Sequence, residues 1–130
     1  MFAISRAMET NKKTLVIGGT TNPSRYAYVA INRLRRHGHD VVAVGIDDGM
    51  VADVPIIREK MPFTDVDTVT LYVRPAVQRE GYEDYIVGLK PKRVIFNPGT
   101  ENPAFERRLI SEGIEPIEGC TLVMLSVGDY

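Results

Sequence analysis

One cysteine, Cys120, and two histidines, His37 and His39, are spread over 130 residues that contain no tryptophan. A single thiol forms no internal disulfide, and so few thiols and imidazoles exclude the structural Cys–His zinc sets. Neither sign of charge dominates. Sixteen basic and seventeen acidic side chains leave a formal net charge of −1, so no broad basic face for nucleic acid is expected. Long apolar runs are missing as well. A stretch such as Val41–Ile46 is far short of the roughly 20 residues that span a bilayer, so no membrane partner is expected. The opening stretch MFAISRAMETNKK has no continuous apolar block and no small-residue cleavage pattern, which argues against a signal peptide. Without an oxidative framework the expected address is cytoplasmic.

What is present is a regular alternation of strands and helices. Thr14–Ile17 is a short β-branched run stopped by Gly18-Gly19, the pattern of a strand buried on both faces. Asn22 and Pro23 suit the cap and first position of a helix. That helix carries Ala27, Ala30, Ile31 and Leu34 on one face and ends in Arg35-Arg36-His37 before Gly38. Asp40–Val44, Val54–Ile57 (as a short edge strand), Thr68–Val73, Arg93–Phe96 and Glu115–Ile117 read as further strands. Pro75 opens a second helix with Tyr82, Tyr85, Ile86 and Leu89 facing the core. Thr100-Glu101-Asn102-Pro103 repeats the earlier helix start, with Phe105, Leu109 and Ile110 facing inward and Gly113 at the end. Thr121–Leu125 reads as a last helical turn. The pattern predicts an α/β fold: a single Rossmann-like, doubly wound parallel sheet of about six strands in the order 3-2-1-4-5-6. Residues 1–11 are expected as a leader and residues 12–130 as the domain.

In such a sheet the ligand crevice lies beyond the carboxyl ends of the strands, where the winding reverses between strands 1 and 4. Three segments should meet there. Gly18, Gly19, Thr20, Thr21, Asn22 and Pro23 form a turn at a helix N-terminus, suited to an anion, with Arg25 and Tyr26 following in the first turn. Gly45 stands at the end of the second strand. Val73, Arg74 and Pro75 follow the fourth strand, and Asn97, Pro98 and Gly99 the fifth. The same glycines and cap residues also suit a tight turn with no ligand. Neither Gly-x-Gly-x-x-Gly nor a Walker Gly-Lys-Ser/Thr is present. Asp47 occupies the place of a ribose-binding acid at the end of the second strand.

The turn Gly18-Gly19-Thr20-Thr21-Asn22-Pro23-Ser24-Arg25-Tyr26, the run His37–Val44 and the later Phe96-Asn97-Pro98-Gly99 together resemble the small stand-alone CoA-binding domain proteins. These are similar in fold to the N-terminal CoA-binding domain of the succinyl-CoA synthetase α subunit. The resemblance extends from Lys13 to Leu125. It implies coenzyme A or an acyl-CoA as ligand, its pyrophosphate at Gly18–Tyr26 and its pantetheine along Val73–Pro75 and Asn97–Gly99. Relatives often read Val-Asn-Pro-Lys after the second strand, where this chain reads Val44-Gly45-Ile46-Asp47. An acid stands where the family offers a cation, with Arg25 and Arg58 as possible substitutes. Nothing matches the phosphohistidine of the synthetase.

No catalytic set can be assembled at the crevice. His37 and His39 fall at the amino end of the sheet, and Asp47, Asp48 and Asp53 lack the spacing of a calcium loop, so no metal site is assigned. Cys120 follows the last strand; the alternatives are a buried small hydrophobe and a thiol facing the pantetheine. The expected function is CoA binding without chemistry, with the protein partner left open. The alternative is an NAD(P)- or nucleotide-sugar-dependent enzyme using the same crevice, with Asp47 as its best feature.

Overall fold

The computed structural model describes residues 11–130. The expected leader falls on residues 1–10, outside the described residues, and on Asn11, whose side chain exchanges hydrogen bonds with Asp40 at 3.0 and 2.9 Å. The strands are β1 (Thr14–Ile17), β2 (Val41–Val44), β3 (Met50–Val51), β4 (Val54–Ile57), β5 (Thr68–Leu71), β6 (Arg93–Phe96) and β7 (Glu115–Glu118). They form one sheet in the order β3-β4-β2-β1-β5-β6-β7. Six parallel strands therefore lie as the alternation predicts, and β3 is an addition. It pairs antiparallel with β4, so Val54–Ile57 is not the edge. The hairpin turns on Ala52 with φ +54°, without the Asn-Gly or Asp-Gly pair that marks such turns in a sequence.

The register makes the parallel strands end together. Ile17 lies level with Val44 and Leu71, Val44 with Ile57, and Leu71 with Phe96. Every following loop therefore leaves from one edge of the sheet. Along β1, Leu15 and Ile17 join the core on one face and Val16 the core on the other, and all three are fully buried. Both faces are covered, which explains the unbroken apolar runs.

Helix α1 (Tyr26–Arg36) buries Ala27, Ala30, Ile31 and Leu34 as expected. Its end is a Schellman motif: Gly38 adopts φ +87° and donates to the Arg35 carbonyl, while the His39 amide donates to that of Leu34. Its start differs from expectation. Asn22 and Pro23 lie ahead of the helix, because the Asn22 side chain accepts from the Ser24 amide and hydroxyl at 3.0 and 2.7 Å, making a local turn. The second expected helix is also broken. Pro75–Val77 (α2) passes through an irregular turn at Gln78–Tyr82 into Glu83–Leu89 (α3), since Gly81 sits at φ +93° and Glu80 is non-helical. Ile86 is buried, whereas Tyr82, Tyr85 and Leu89 are half-buried. In α4 (Pro103–Ser111) Asn102 does cap, accepting from the Phe105 amide. Phe105 and Leu109 are buried, but Ile110 is 64% exposed, one position off the inward face. Thr121–Val127 forms α5.

Candidate functional site

The turn after β1 is built by backbone contact. Gly18, at φ +95°, and Gly19 both donate their amides to the Val44 carbonyl, at 2.9 and 3.0 Å. A Cβ on Gly18 would lie 3.0 Å from the Tyr72 carbonyl oxygen, and one on Gly45 would lie 2.2 Å from that of Gly19. The glycines thus let the loops after β1, β2 and β5 touch. Their amides serve the fold, so donors for a ligand must come from further along the chain.

Those residues form a second layer. Asp47 Oδ2 accepts from the Thr20 hydroxyl at 2.6 Å, the Thr21 amide at 3.0 Å and the Thr21 hydroxyl at 3.4 Å. The Thr20 hydroxyl in turn accepts from the Asn22 amide at 3.1 Å. These bonds, the Thr20 hydroxyl first, hold the Asp47 carboxyl below the usual aspartate range. Beyond Asn22 and Pro23 the chain enters α1 with Arg25 at the cap, making no side-chain cap bond, and no acid in the first turn. Among the described residues the amides of Tyr26, Ala27 and Tyr28 find no acceptor. An uncapped first turn with unspent donors is the usual setting for an anion.

Across the crevice, the loops after β5 and β6 are clamped by a buried network that sequence reasoning missed. Gln78 donates to the carbonyls of Val73 and Thr100 at 2.8 and 2.9 Å and accepts from Asn102 Nδ2 at 2.8 Å. A polar residue at a core register of its helix, four before Tyr82 and eight before Ile86, was the available signal. Asn97 is spent in the same way. Its Nδ2 donates to the Thr70 hydroxyl and the Leu71 carbonyl at 2.7 and 2.9 Å, and its Oδ1 accepts from the Thr121 amide at 2.9 Å. The side chain is 2% exposed and positions the loop rather than lining it. Pro98 and Gly99 (φ +92°) make the exposed bend that follows, closed by the Thr100 amide on the Asn97 carbonyl. Val73 and Pro75 are half-buried, and Arg74 is exposed.

Charge on the rim is uneven. Arg25 and Arg74 are exposed and make no ion pair among the described residues. Arg58 bonds Asp48 at 3.1 and 3.3 Å. Tyr26, Ile46 and Met50 are 74, 81 and 60% exposed. Cys120 is half-buried at the cap of α5. His37 and His39 stand at the far, amino end. His39 is buried there, its Nδ1 accepting from the Lys12 amide at 2.9 Å. A polar depression among Lys13, Arg35, Asp40 and Asp53 also lies at that end, and Arg35 pairs with Asp53 within it. Among the described residues no group of three His, Cys, Asp or Glu side chains is placed to hold a metal, and no helix is long and apolar enough to cross a membrane.

A family model described as a CoA binding domain matches residues 12–126. No curated protein matches the chain. A crystal structure of an uncharacterized protein is 52% identical, with a TM-score of 0.90 over 94% of this chain and 100% of that one. A hypothetical protein from Pyrococcus horikoshii is similar at 21% identity and a TM-score of 0.79, covering 97% of this chain and 89% of its own. A Thermus thermophilus protein is similar at 20% identity and a TM-score of 0.77, covering 99% and 98%. At such identities these last two speak for the fold alone.

Proposed function

The chain belongs to the CoA binding domain family, and from that premise we propose that it binds coenzyme A or an acyl-CoA as a module without chemistry of its own. One observation carries the reading. The first turn of α1 offers the amides of Tyr26, Ala27 and Tyr28, unspent among the described residues, beside the point where the winding reverses between β1 and β5. A pyrophosphate there gains amide donors and the positive end of the helix dipole, and the Arg25 guanidinium adds charge from the rim. Gly18, Gly19 and Gly45 let the loops after β1, β2 and β5 pack directly on one another beneath that first turn. Thr20, Thr21, Asn22 and Pro23 shape the approach. Pantetheine runs past Val73, Arg74 and Pro75 to Pro98 and Gly99, a path kept open by Gln78 and Asn97. Bound CoA supplies the thiol that carries an acyl group; the residues of this chain bind and orient it. The expected setting is the cytoplasm.

A second reading has one observation in its favour. Asp47, at the end of β2, is where a nicotinamide dinucleotide site keeps its ribose-binding acid. Thermal shifts with CoA, NAD and ADP separate the two. CoA at a hundred times its Kd stabilises by about 2.7 kcal/mol, a rise in Tm of roughly 8 °C for a chain of this size. Arg25→Ala should reduce that rise without changing the Tm of the free protein. A shift with NAD and none with CoA would favour the second reading, and no shift with any of the three would overturn both.

A further inference from the structure

Resting on the CoA reading, we propose that Asp47 selects the ribose of the bound nucleotide: its carboxylate receives free ribose hydroxyls and turns away a phosphate on that ribose, so the site prefers dephospho-CoA to CoA. The geometry divides the two oxygens of the carboxylate. Oδ2 takes all three donors from Thr20 and Thr21, which fixes the group in place, while Oδ1 accepts nothing among the described residues. A fixed oxygen at the carboxyl end of the second strand is suited to a hydroxyl, which brings a proton to share. A phosphate at neutral pH is mostly the dianion, which brings only acceptors, so it offers Oδ1 no proton and is repelled by it.

The surroundings do not reverse that balance. The Arg58 guanidinium would be the offsetting cation, but it already bonds both carboxylate oxygens of Asp48. Asp47, Asp48 and Arg58 together leave one net negative charge. Arg25 stands at the start of α1, on the side of the proposed pyrophosphate. Asp47 is a carboxylate at neutral pH, its pKa held below the ordinary aspartate range by the Thr20 and Thr21 bonds. The bonds from Thr20 and Thr21 hold the carboxylate so that it does not swing aside for a phosphate. Met50 and Ile46, exposed on the same rim, leave an apolar surface where a base can lie beside such a ribose.

The experiment is calorimetric titration of the full chain with CoA and with dephospho-CoA at one fixed salt concentration, for the wild type and for Asp47→Asn. The wild type should bind dephospho-CoA at least about tenfold more tightly, the scale of one like-charge contact. Asp47→Asn, which removes the charge and keeps an oxygen, should narrow that ratio at least threefold, chiefly by improving CoA. Equal or tighter binding of CoA by the wild type would overturn the selection while leaving the CoA reading intact. So would a ratio that Asp47→Asn leaves unchanged. Heat from neither ligand would remove the CoA reading and this inference with it.

Discussion

Gly19 and Gly45 meet backbone to backbone: a Cβ on Gly45 would lie 2.2 Å from the carbonyl oxygen of Gly19 and 3.0 Å from its carbonyl carbon. The turn after β1 is thus seated directly on the turn after β2. No rotamer relieves that contact, because both partners are main chain. Gly45→Ala should therefore cost about 3 kcal/mol, the upper range for overpacking. Urea unfolding should give a lower midpoint at unchanged slope. A variant as stable as the wild type would mean that the two turns are not seated on one another.

Gln78 joins the two loops on the other side of the crevice through three hydrogen bonds. Gln78→Met keeps the volume and removes the polar atoms, which leaves the Val73 and Thr100 carbonyls without their donor. Each buried group so orphaned costs about 1–3 kcal/mol, so a loss of about 3 kcal/mol is expected, with weaker CoA binding as the loops part. Gln78→Ala should lose more, by the cavity it opens. Equal stability of Gln78→Met and wild type would show that packing alone matters there.

His39 gives the fold a pH dependence of known sign. Burial, reinforced by His37, Lys12 and Arg93, lowers its pKa from the ordinary 6.5. Protonation also removes the acceptor that Nδ1 offers the Lys12 amide. The unfolded chain binds the proton more readily, so this contribution to stability is complete above pH 6.5 and is lost as pH falls towards the folded value. His39→Asn keeps an acceptor near the Nδ1 position and removes the titration. Its stability should be flatter than that of the wild type below pH 6.5, and an unaltered slope would contradict the assignment.

Most of this architecture is legible in the residues because β1, β2 and β6 are short runs rich in β-branched residues that end at Gly18, Gly45 and Asn97-Pro98-Gly99, and because strands that alternate with helices have few ways to wind. The two Thr-x-Asn-Pro segments show where legibility ends. Asn102 caps α4, yet the identical signal at Asn22 folds into a local turn with Ser24, where Thr20 and Thr21 are drawn to Asp47 in the loop after β2. The same limit applies to Asn97. Its place in the loop suggests a ligand, but its partners Thr70, Leu71 and Thr121 come from elements that only the fold brings together. The helix at Pro75 breaks at Gly81, a residue compatible with either a continuous or a kinked path.

Tyr72 lies just beyond β5. Its hydroxyl is buried and has no hydrogen-bond partner among the described residues. Burial also holds the phenol above its ordinary pKa, so it stays neutral. The hydroxyls of Thr70 and Thr121 lie close enough to pull the phenol's pKa partly back down, but they bond each other at 2.8 Å and neither meets the Tyr72 hydroxyl in hydrogen-bond geometry. A buried polar atom without a partner costs about 1–3 kcal/mol, and deleting it restores much of that. Tyr72→Phe keeps the ring against the core face shared by Val16, Ala43 and Leu125. It should raise stability by about 1 kcal/mol, which for a chain of this size is a rise in Tm of about 3 °C. Calorimetric unfolding of the free protein measures it. A fall in Tm would show that the hydroxyl has a partner after all, with an ordered water as the first one to look for.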